Sequence, residues 1–504
     1  MKVLTAADIR LWDQYTIAHE PISSLDLMER AATACTVWLR QQYPGLQACH
    51  IFCGKGNNGG DGLAIARLLA AQQAVSAITV SILEFGHKGS EDFQANLSRL
   101  HQYPQVHIQY IQSAAHFHPV AKNELIIDAL FGSGINRPLD GLGKALVQFI
   151  NEQPAAVVSV DLPSGLFADH TSGANEVICA THTLSFQCNK LAFLMPENAG
   201  FTGEVHLLDI GLHPGFSALA ASRYEQADHA KACSVFRPRQ PFAHKGQLGH
   251  ALLIAGSTGK TGAALLSSRA CLRTGVGLLT VHAPASAYTI LQSGAPEAMV
   301  VMDKDADTVT QLPGEPGKYA AIGAGPGLGT AAATQSMLTE LLQQYRQPLV
   351  LDADALNILA AAPGLLSKLP AYSILTPHPK EFERLFGISP DDFSRAELAL
   401  ERAKAHQCII VLKGHYTLIA TPEGKGYFNS TGNAGMATGG SGDVLTGMLT
   451  SLLAQGYPPE DAALLGVYLH GKAGDFAAAK LSKEAMLASD IIDNIGAAFF
   501  QMYK

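Results

Sequence analysis

The chain has 504 residues, of which 47 % are hydrophobic and 15 % charged, and its formal net charge is −8. That length exceeds an ordinary single domain and points to two compact units. The sequence offers no unbroken apolar run of about 20 residues for a membrane helix and no basic cluster for a nucleic-acid backbone, so membrane and nucleic-acid partners are not expected.

The opening stretch, Met1-Lys2-Val3-Leu4-Thr5-Ala6-Ala7-Asp8, lacks the apolar core and cleavage site of a signal peptide, so a cytoplasmic protein is expected. The eight cysteines, Cys35, Cys49, Cys53, Cys179, Cys188, Cys233, Cys271 and Cys408, form no C-x-x-C pair and read as reduced, mostly buried thiols. Short apolar runs alternate with helical stretches along the whole chain, which predicts α/β architecture with parallel sheets. In the first half, strands are expected over 50–53, 77–83, 125–128 and 157–161. Near-continuous apolar runs suit strands buried on both faces.

Directly after the first of these strands comes Gly54-Lys55-Gly56-Asn57-Asn58-Gly59-Gly60-Asp61-Gly62, followed by a predicted helix over 63–73. Gly54-x-Gly56-x-x-Gly59 matches the dinucleotide fingerprint, and Glu84 lies beyond the next strand, where a ribose-binding acid could sit. Glycines let the backbone approach a phosphate, and a helix N-terminus favours negative charge. A tight strand-to-helix turn would show the same glycines, but Asn57, Asn58 and Asp61 exceed what turn geometry needs. Two more polar loops, one from Asp128 to Arg137 and one reading Asp161-Leu162-Pro163-Ser164-Gly165, follow predicted strands at their C-terminal ends. In a parallel sheet those ends share the edge where ligands bind. Each aspartate taken singly also fits an N-cap or a turn.

The three segments resemble the N-terminal domain of the YjeF family, the NAD(P)H-hydrate epimerases, over most of residues 1–215. The resemblance implies a Rossmann-like three-layer domain with a substrate loop of Asn57, Asn58, Gly59, Gly60 and Asp61. It implies further substrate contacts from Gly132, Ser133, Gly134, Ile135, Asn136, Arg137, Pro138 and Asp161, and a potassium ion held by Asn58, Asp128 and Ser164. Asp161 would be the catalytic carboxylate. Lys190 falls near it in the family pattern, although a helix-surface lysine would look no different. In hydrated NADH the hydroxyl on C6 adjoins the ring nitrogen, whose lone pair can expel it. Water returning to the other face inverts the centre, with Asp161 moving the proton.

Between about 211 and 241, Pro214-Gly215, an Ala-rich helical stretch and Arg237-Pro238-Arg239-Gln240-Pro241 mark a break. The expected division is a domain over 1–215, a linker over 216–240 and a second, unrelated domain over 241–504. In the second half, strands are expected over 251–255, 278–282, 320–322, 349–352 and 409–412. Gly256-Ser257-Thr258-Gly259-Lys260-Thr261-Gly262 imitates a P-loop, but Ile254 stands where its first glycine belongs, so a substrate contact is expected instead. The decisive segment is Asn433-Ala434-Gly435-Met436-Ala437-Thr438-Gly439-Gly440-Ser441-Gly442-Asp443, ahead of a predicted helix over 444–454. Successive glycine N–H groups and the helix dipole suit a transferring phosphoryl group, and Asp443 stands where it can take a proton from an attacking hydroxyl. The plainer alternative is a glycine-rich loop with Asp443 as helix cap.

From about His244 to the C-terminus these segments resemble the ribokinase-like fold, and within it the YjeF C-terminal domain, a nucleotide-dependent NAD(P)H-hydrate dehydratase. The resemblance implies substrate contacts from Ala263, Gly327, His378 and Asp443, and nucleotide contacts from Lys413, Gly414, His415, Tyr416, Thr417 and Gly442. His378 alone reads as a loop histidine. ADP would be the phosphoryl donor, with Mg2+ accompanying it, in a homo-oligomeric enzyme whose partners are small molecules: the hydrates of NADH and NADPH, and ADP. Asp443 would activate the C6 hydroxyl towards the nucleotide's terminal phosphoryl group, and the ring nitrogen would expel the resulting phosphate ester. The first domain would epimerise R and S hydrates and the second would dehydrate the S form, giving NAD(P)H, AMP and phosphate. The alternative reading is a vitamin-type small-molecule kinase fused to a dinucleotide-binding sensor, which would leave a stable phosphorylated product.

Overall fold

The computed structural model describes residues 1–84, 86 and 88–503; residue 504 of the expected second domain lies outside them. Two compact units comprise residues 2–222 and the chain from Arg223 onward. Among the described residues no helix is long and apolar enough to cross a membrane.

In the first unit, strands β1 (Ala48–Cys53), β2 (Ala77–Leu83), β3 (Val106–Ile111), β4 (Leu125–Ala129), β5 (Ala156–Val160), β6 (His182–Phe186) and β7 (Glu204–Leu208) form one parallel sheet in the order β3-β2-β1-β4-β5-β6-β7. Strand order reverses between β1 and β4, which opens a crevice at their C-terminal ends. Ile51, Ile127 and Val158 pack on one face with the helices Ser24–Gln42 and Asn57–Ala71. Their neighbours Phe52, Ile126 and Val157 pack on the other with Leu146, Val147 and Ile150 of the helix Gly141–Asn151. Burial on both faces is why these strands read as continuous apolar runs.

In the second unit, β8 (Tyr224–Ala227), β9 (His250–Ile254), β10 (Leu278–Ala283), β11 (Met299–Met302), β12 (Ala321–Ala324), β13 (Leu349–Leu351), β14 (Ile374–Leu375), β15 (Ile409–Leu412), β16 (Leu418–Ala420) and β17 (Gly426–Asn429) run in the order β8-β17-β16-β15-β14-β13-β12-β9-β10-β11. The stretch from β15 to β11 is parallel. β16 and β17 add an antiparallel pair. Leu253, Val281, Val350, Ile409 and Val411 pack in one core with the helices Thr261–Arg273 and Ser441–Ala454.

Three expectations need correcting. Residues 216–240 are not a bare linker: β8 pairs with β17, and Asp228 caps a helix over His229–Val235. Tyr-Glu-Gln-Ala is too polar to announce a strand. The helix expected from residue 63 begins at Asn57, and that expected from 444 begins at Ser441. Most of the first glycine-rich segment is therefore the start of a helix rather than a loop before it, whereas only the last three residues of the second, Ser441, Gly442 and Asp443, belong to the helix that follows.

Candidate active sites

A cavity of about 820 Å³ opens in the first unit, lined among others by Asp13, Lys55, Asn57, Asn58, Asp61, Ser133 and Asp161. Close backbone packing builds its floor. The Gly54 N–H donates to the Ala129 carbonyl at 3.0 Å. A Cβ on Gly54 would stand 2.0 Å from the Leu130 oxygen, and one on Gly59 only 1.7 Å from the Gly54 oxygen. The glycines thus seat the N-terminus of the helix Asn57–Ala71 against the loop that follows β4.

Asp161 leaves β5 with φ +68°, in the left-handed region. Its Oδ1 lies 2.8 Å from Lys190 Nζ, and its Oδ2 accepts from the Ser133 N–H at 3.0 Å. The Lys190 side chain is 0 % exposed, and its ammonium also donates to Ser185 Oγ at 2.5 Å. Burial pushes the Asp161 carboxyl up, but the Lys190 ammonium and the Ser133 N–H outweigh it and hold the group below its ordinary value. Asp13, on the helix Ala6–His19, shows the opposite balance. Burial, and then the Asp161 carboxylate, push it up to about 7 against the pull of Lys190. Asp61 is also driven well up, by burial first and then by Asp161 and Asp13. An ionised and a protonated carboxyl therefore line one cavity.

Behind Asp161, the buried Asp128 carboxylate accepts from Ser159 Oγ (2.8 Å), Ser164 N–H (2.9 Å), Ser164 Oγ (2.6 Å) and Leu130 N–H (3.2 Å). Burial raises it, and these donors oppose the rise. Ser164 Oγ also lies 3.1 Å from the Phe131 carbonyl oxygen. The Asn58 amide satisfies both neighbours when its nitrogen donates to the Val160 carbonyl (3.1 Å) and its oxygen accepts from the Gly132 N–H (3.2 Å). Turned over, it sets acceptor against acceptor at Val160, an arrangement that a cation between them would resolve.

Of the expected first-unit residues, Asn57, Asn58, Asp61, Gly132, Ser133, Gly134, Ile135 and Asp161 line the cavity. Gly59 and Gly60 serve close packing, against Gly54 and against Met28 (2.8 Å from a Cβ on Gly60). Asn136, Arg137 and Pro138 are exposed further along their loop. Glu84, expected as a ribose acid, is ion-paired with Lys55. Asp13 was not foreseen: it lies in the helix Ala6–His19, which carries no motif, and only the fold brings it to the cavity.

In the second unit the loops at the C-terminal ends of the parallel strands are stitched together by backbone hydrogen bonds. These run from Gly256 to Pro326 (2.9 Å), Asp352 to Ala324 (3.1 Å), Thr376 to Leu351 (3.1 Å) and Lys413 to Pro377 (2.9 Å). Gly327, φ +58°, lies against Ala263, 3.1 Å from an ideal Cβ to the Ala263 Cβ. Asp352, buried at the end of β13, accepts from Lys413 Nζ (2.9 Å) and Thr446 Oγ1 (2.8 Å). Lys413 also faces Glu381 at 3.9 Å. Gly442 fits between them, since a Cβ there would stand 3.3 Å from Lys413 Nζ and 3.5 Å from Asp352 Oδ2. Asp443 is half-buried in the first turn of the helix Ser441–Ala454, after Gly440 at φ +93°. Burial, and then the Asp352 charge, raise it to about 7 against Lys413. Gly414 and His415 are exposed, with Tyr416 and Thr417 behind them.

His378 is a helix cap: its Nδ1 accepts from the Lys380 N–H (3.1 Å), and its own N–H donates to Glu381 (2.8 Å). Asp352 and Glu381, which fix Lys413, were not foreseen as site residues. The signal for Asp352 was present, an aspartate ending a parallel strand as Asp128 and Asp161 do.

Residues 251–496 match the family model described as NAD(P)H-hydrate dehydratase, and residues 24–192 match the YjeF-related protein N-terminus. A ribokinase-like superfamily protein of Enterococcus faecalis V583 superposes with a TM-score of 0.51 at 28 % identity, covering 56 % of this chain and 98 % of that one. The ADP/ATP-dependent NAD(P)H-hydrate dehydratase of Bacillus subtilis, co-crystallised with ATP/Mg2+, is 33 % identical over 55 % of this chain and 98 % of its own, with a TM-score of 0.48. The bifunctional NAD(P)H-hydrate repair enzyme of Moorella thermoacetica is 36 % identical, covering 98 % of this chain and 96 % of that protein. With both halves matched and that relative spanned from end to end, the chain belongs to the family of bifunctional NAD(P)H-hydrate repair enzymes.

Proposed function

We propose that residues 1–215 carry an epimerase site and residues 241–504 a dehydratase site, which act in turn on hydrated NADH and NADPH. The observation that carries the first half is the Asp161–Lys190 pair facing the same cavity as Asp13. Asp161, held ionised by Lys190, takes a proton, and Asp13, which stays protonated up to about pH 7, supplies one. Loss of the C6 hydroxyl and return of water to the other face of the ring need such a donor and acceptor, and no redox step.

The oxygen groups around Asn58, Asp128 and Ser164 fit a hard cation, and we assign K+ to them. When bound, the ion supplies positive charge that orients the substrate. Asp128 holds the loops after β4 and β5 together whether or not the ion is present.

In the second half, Asp443 accepts the proton of the C6 hydroxyl as that oxygen attacks the terminal phosphoryl group of ADP. N–H groups at the start of the helix Ser441–Ala454 receive the developing charge. Lys413, Gly414, His415, Tyr416, Thr417 and Gly442 hold the nucleotide with its Mg2+, and Ala263, Gly327 and His378 contact the hydrate. The ring nitrogen then expels phosphate to leave a ring iminium ion, and loss of a proton from C5 restores the C5–C6 double bond of NAD(P)H, with AMP released. The eight free cysteines, six of them buried, suit the reducing cytoplasm.

Separated R and S hydrates incubated with the protein, K+ and either ADP or ATP test this reading through the absorbance of restored NADH. S hydrate should be consumed by the second site alone, and R hydrate only when the first site is intact. Accumulation of a stable phosphoester without NADH would instead favour a kinase.

A further inference from the structure

The first unit's sheet carries its cavity at the C-terminal ends of the strands. At the opposite edge, β6 starts with His182 and β7 with Glu204, and His206 follows two residues later. His182 and Glu204 are register partners, and His206 pairs with Leu184, so all three side chains leave the same face. His182 Nδ1 lies 3.1 Å from His206 Nε2, and Glu204 Oε2 lies 3.8 Å and 4.0 Å from those two nitrogens. Ligands bonded at about 2.0–2.1 Å around a tetrahedral zinc ion stand roughly 3.3 Å apart. The imidazoles already have nearly that spacing, and Glu204, 71 % exposed, is free to swing the remainder. Trp38 packs on both rings, with centroids 5.1 Å from His182 and 4.7 Å from His206, and sets their orientation.

We propose that His182, Glu204 and His206 form a binding site for a divalent transition-metal ion of the zinc type, with a fourth position open to water. Two imidazoles and one carboxylate select such ions over Mg2+ or Ca2+, which prefer all-oxygen sites. The bound ion ties the terminal strand β7 to β6 and stabilises the first unit by mass action. The role is structural, at the strand ends opposite those that carry the first unit's cavity.

Metal-free full-length protein titrated with Zn2+, by calorimetry and by thermal unfolding, tests this, with Mg2+ as control and His206→Gln and Glu204→Ala alongside. One zinc per chain should bind and raise the first unit's melting temperature, with affinity reduced at least about tenfold in His206→Gln and to a lesser degree in Glu204→Ala. Ni2+ should quench Trp38 fluorescence in the parent protein and not in His206→Gln, while R-to-S exchange stays unchanged in both variants. Absence of zinc binding to the parent protein, or affinity in both variants equal to the parent's, would overturn the proposal. Glu204→Ala, at an exposed position, keeps the test decisive should His206→Gln fold poorly.

Discussion

Lys190 matters for what its charge does to Asp161. Removing one partner of a buried ion pair costs about 3–5 kcal/mol, so Lys190→Met should lower first-unit stability by about 3 kcal/mol in denaturant titration. It should also move the acid limb of R-to-S exchange to higher pH, because burial then acts on Asp161 without the ammonium to oppose it. Asp13→Asn should slow exchange and remove the alkaline limb near pH 7. Asp443 is linked to stability in a definite direction. Its folded value, about 7, lies above its ordinary 3.8, so its contribution is fully present below about pH 4 and is lost as pH rises towards 7. Asp443→Asn should therefore abolish S-hydrate dehydration while leaving nucleotide binding measurable. It should also raise the second unit's melting temperature at pH 8 but hardly at pH 4. The sequence made Asp161 and Asp443 visible through the motifs around them. It left Lys190 undecided and Asp13 unseen, because burial and tertiary approach create their chemistry and no neighbouring residue reports it.

At the level of elements, strands buried on both faces were readable, as Val157-Val158 and Ile409-Ile410-Val411 show. Not every strand was: β6, β11, β16 and β17 escaped notice, although β16 and β17 are buried throughout. Three further omissions have physical reasons. β3 reads Val-His-Ile-Gln-Tyr-Ile at one sheet edge and β7 Glu-Val-His-Leu-Leu at the other, and both are partly exposed. β14 is two residues long. The segment Gly54–Gly62 was read as a loop because glycine disfavours helix, yet close packing at Gly54 and Gly59 fixes its second half as a helix start. Gly447 shows the same demand inside the helix Ser441–Ala454, since a Cβ there would stand 2.1 Å from the Ser267 oxygen of the helix Thr261–Arg273. Gly447→Ala should thus lower the second unit's melting temperature and weaken dehydration, leaving R-to-S exchange untouched. Gly59→Ala should do the reverse, and differential scanning calorimetry with the two activity assays separates the cases.

For the whole molecule, each unit has its own sheet and core. Neither Asp161→Asn nor Asp443→Asn protein should restore NADH from R hydrate alone. An equal mixture of the two should do so, because the S hydrate released by one variant can be taken up by the other. Joining both units in one polypeptide also has a consequence for the cell. A single translation event makes one catalyst of each kind, so their ratio stays at one to one however strongly the gene is read. Fluctuating synthesis then changes how fast damaged coenzyme is cleared, without tilting the balance between its two C6 configurations.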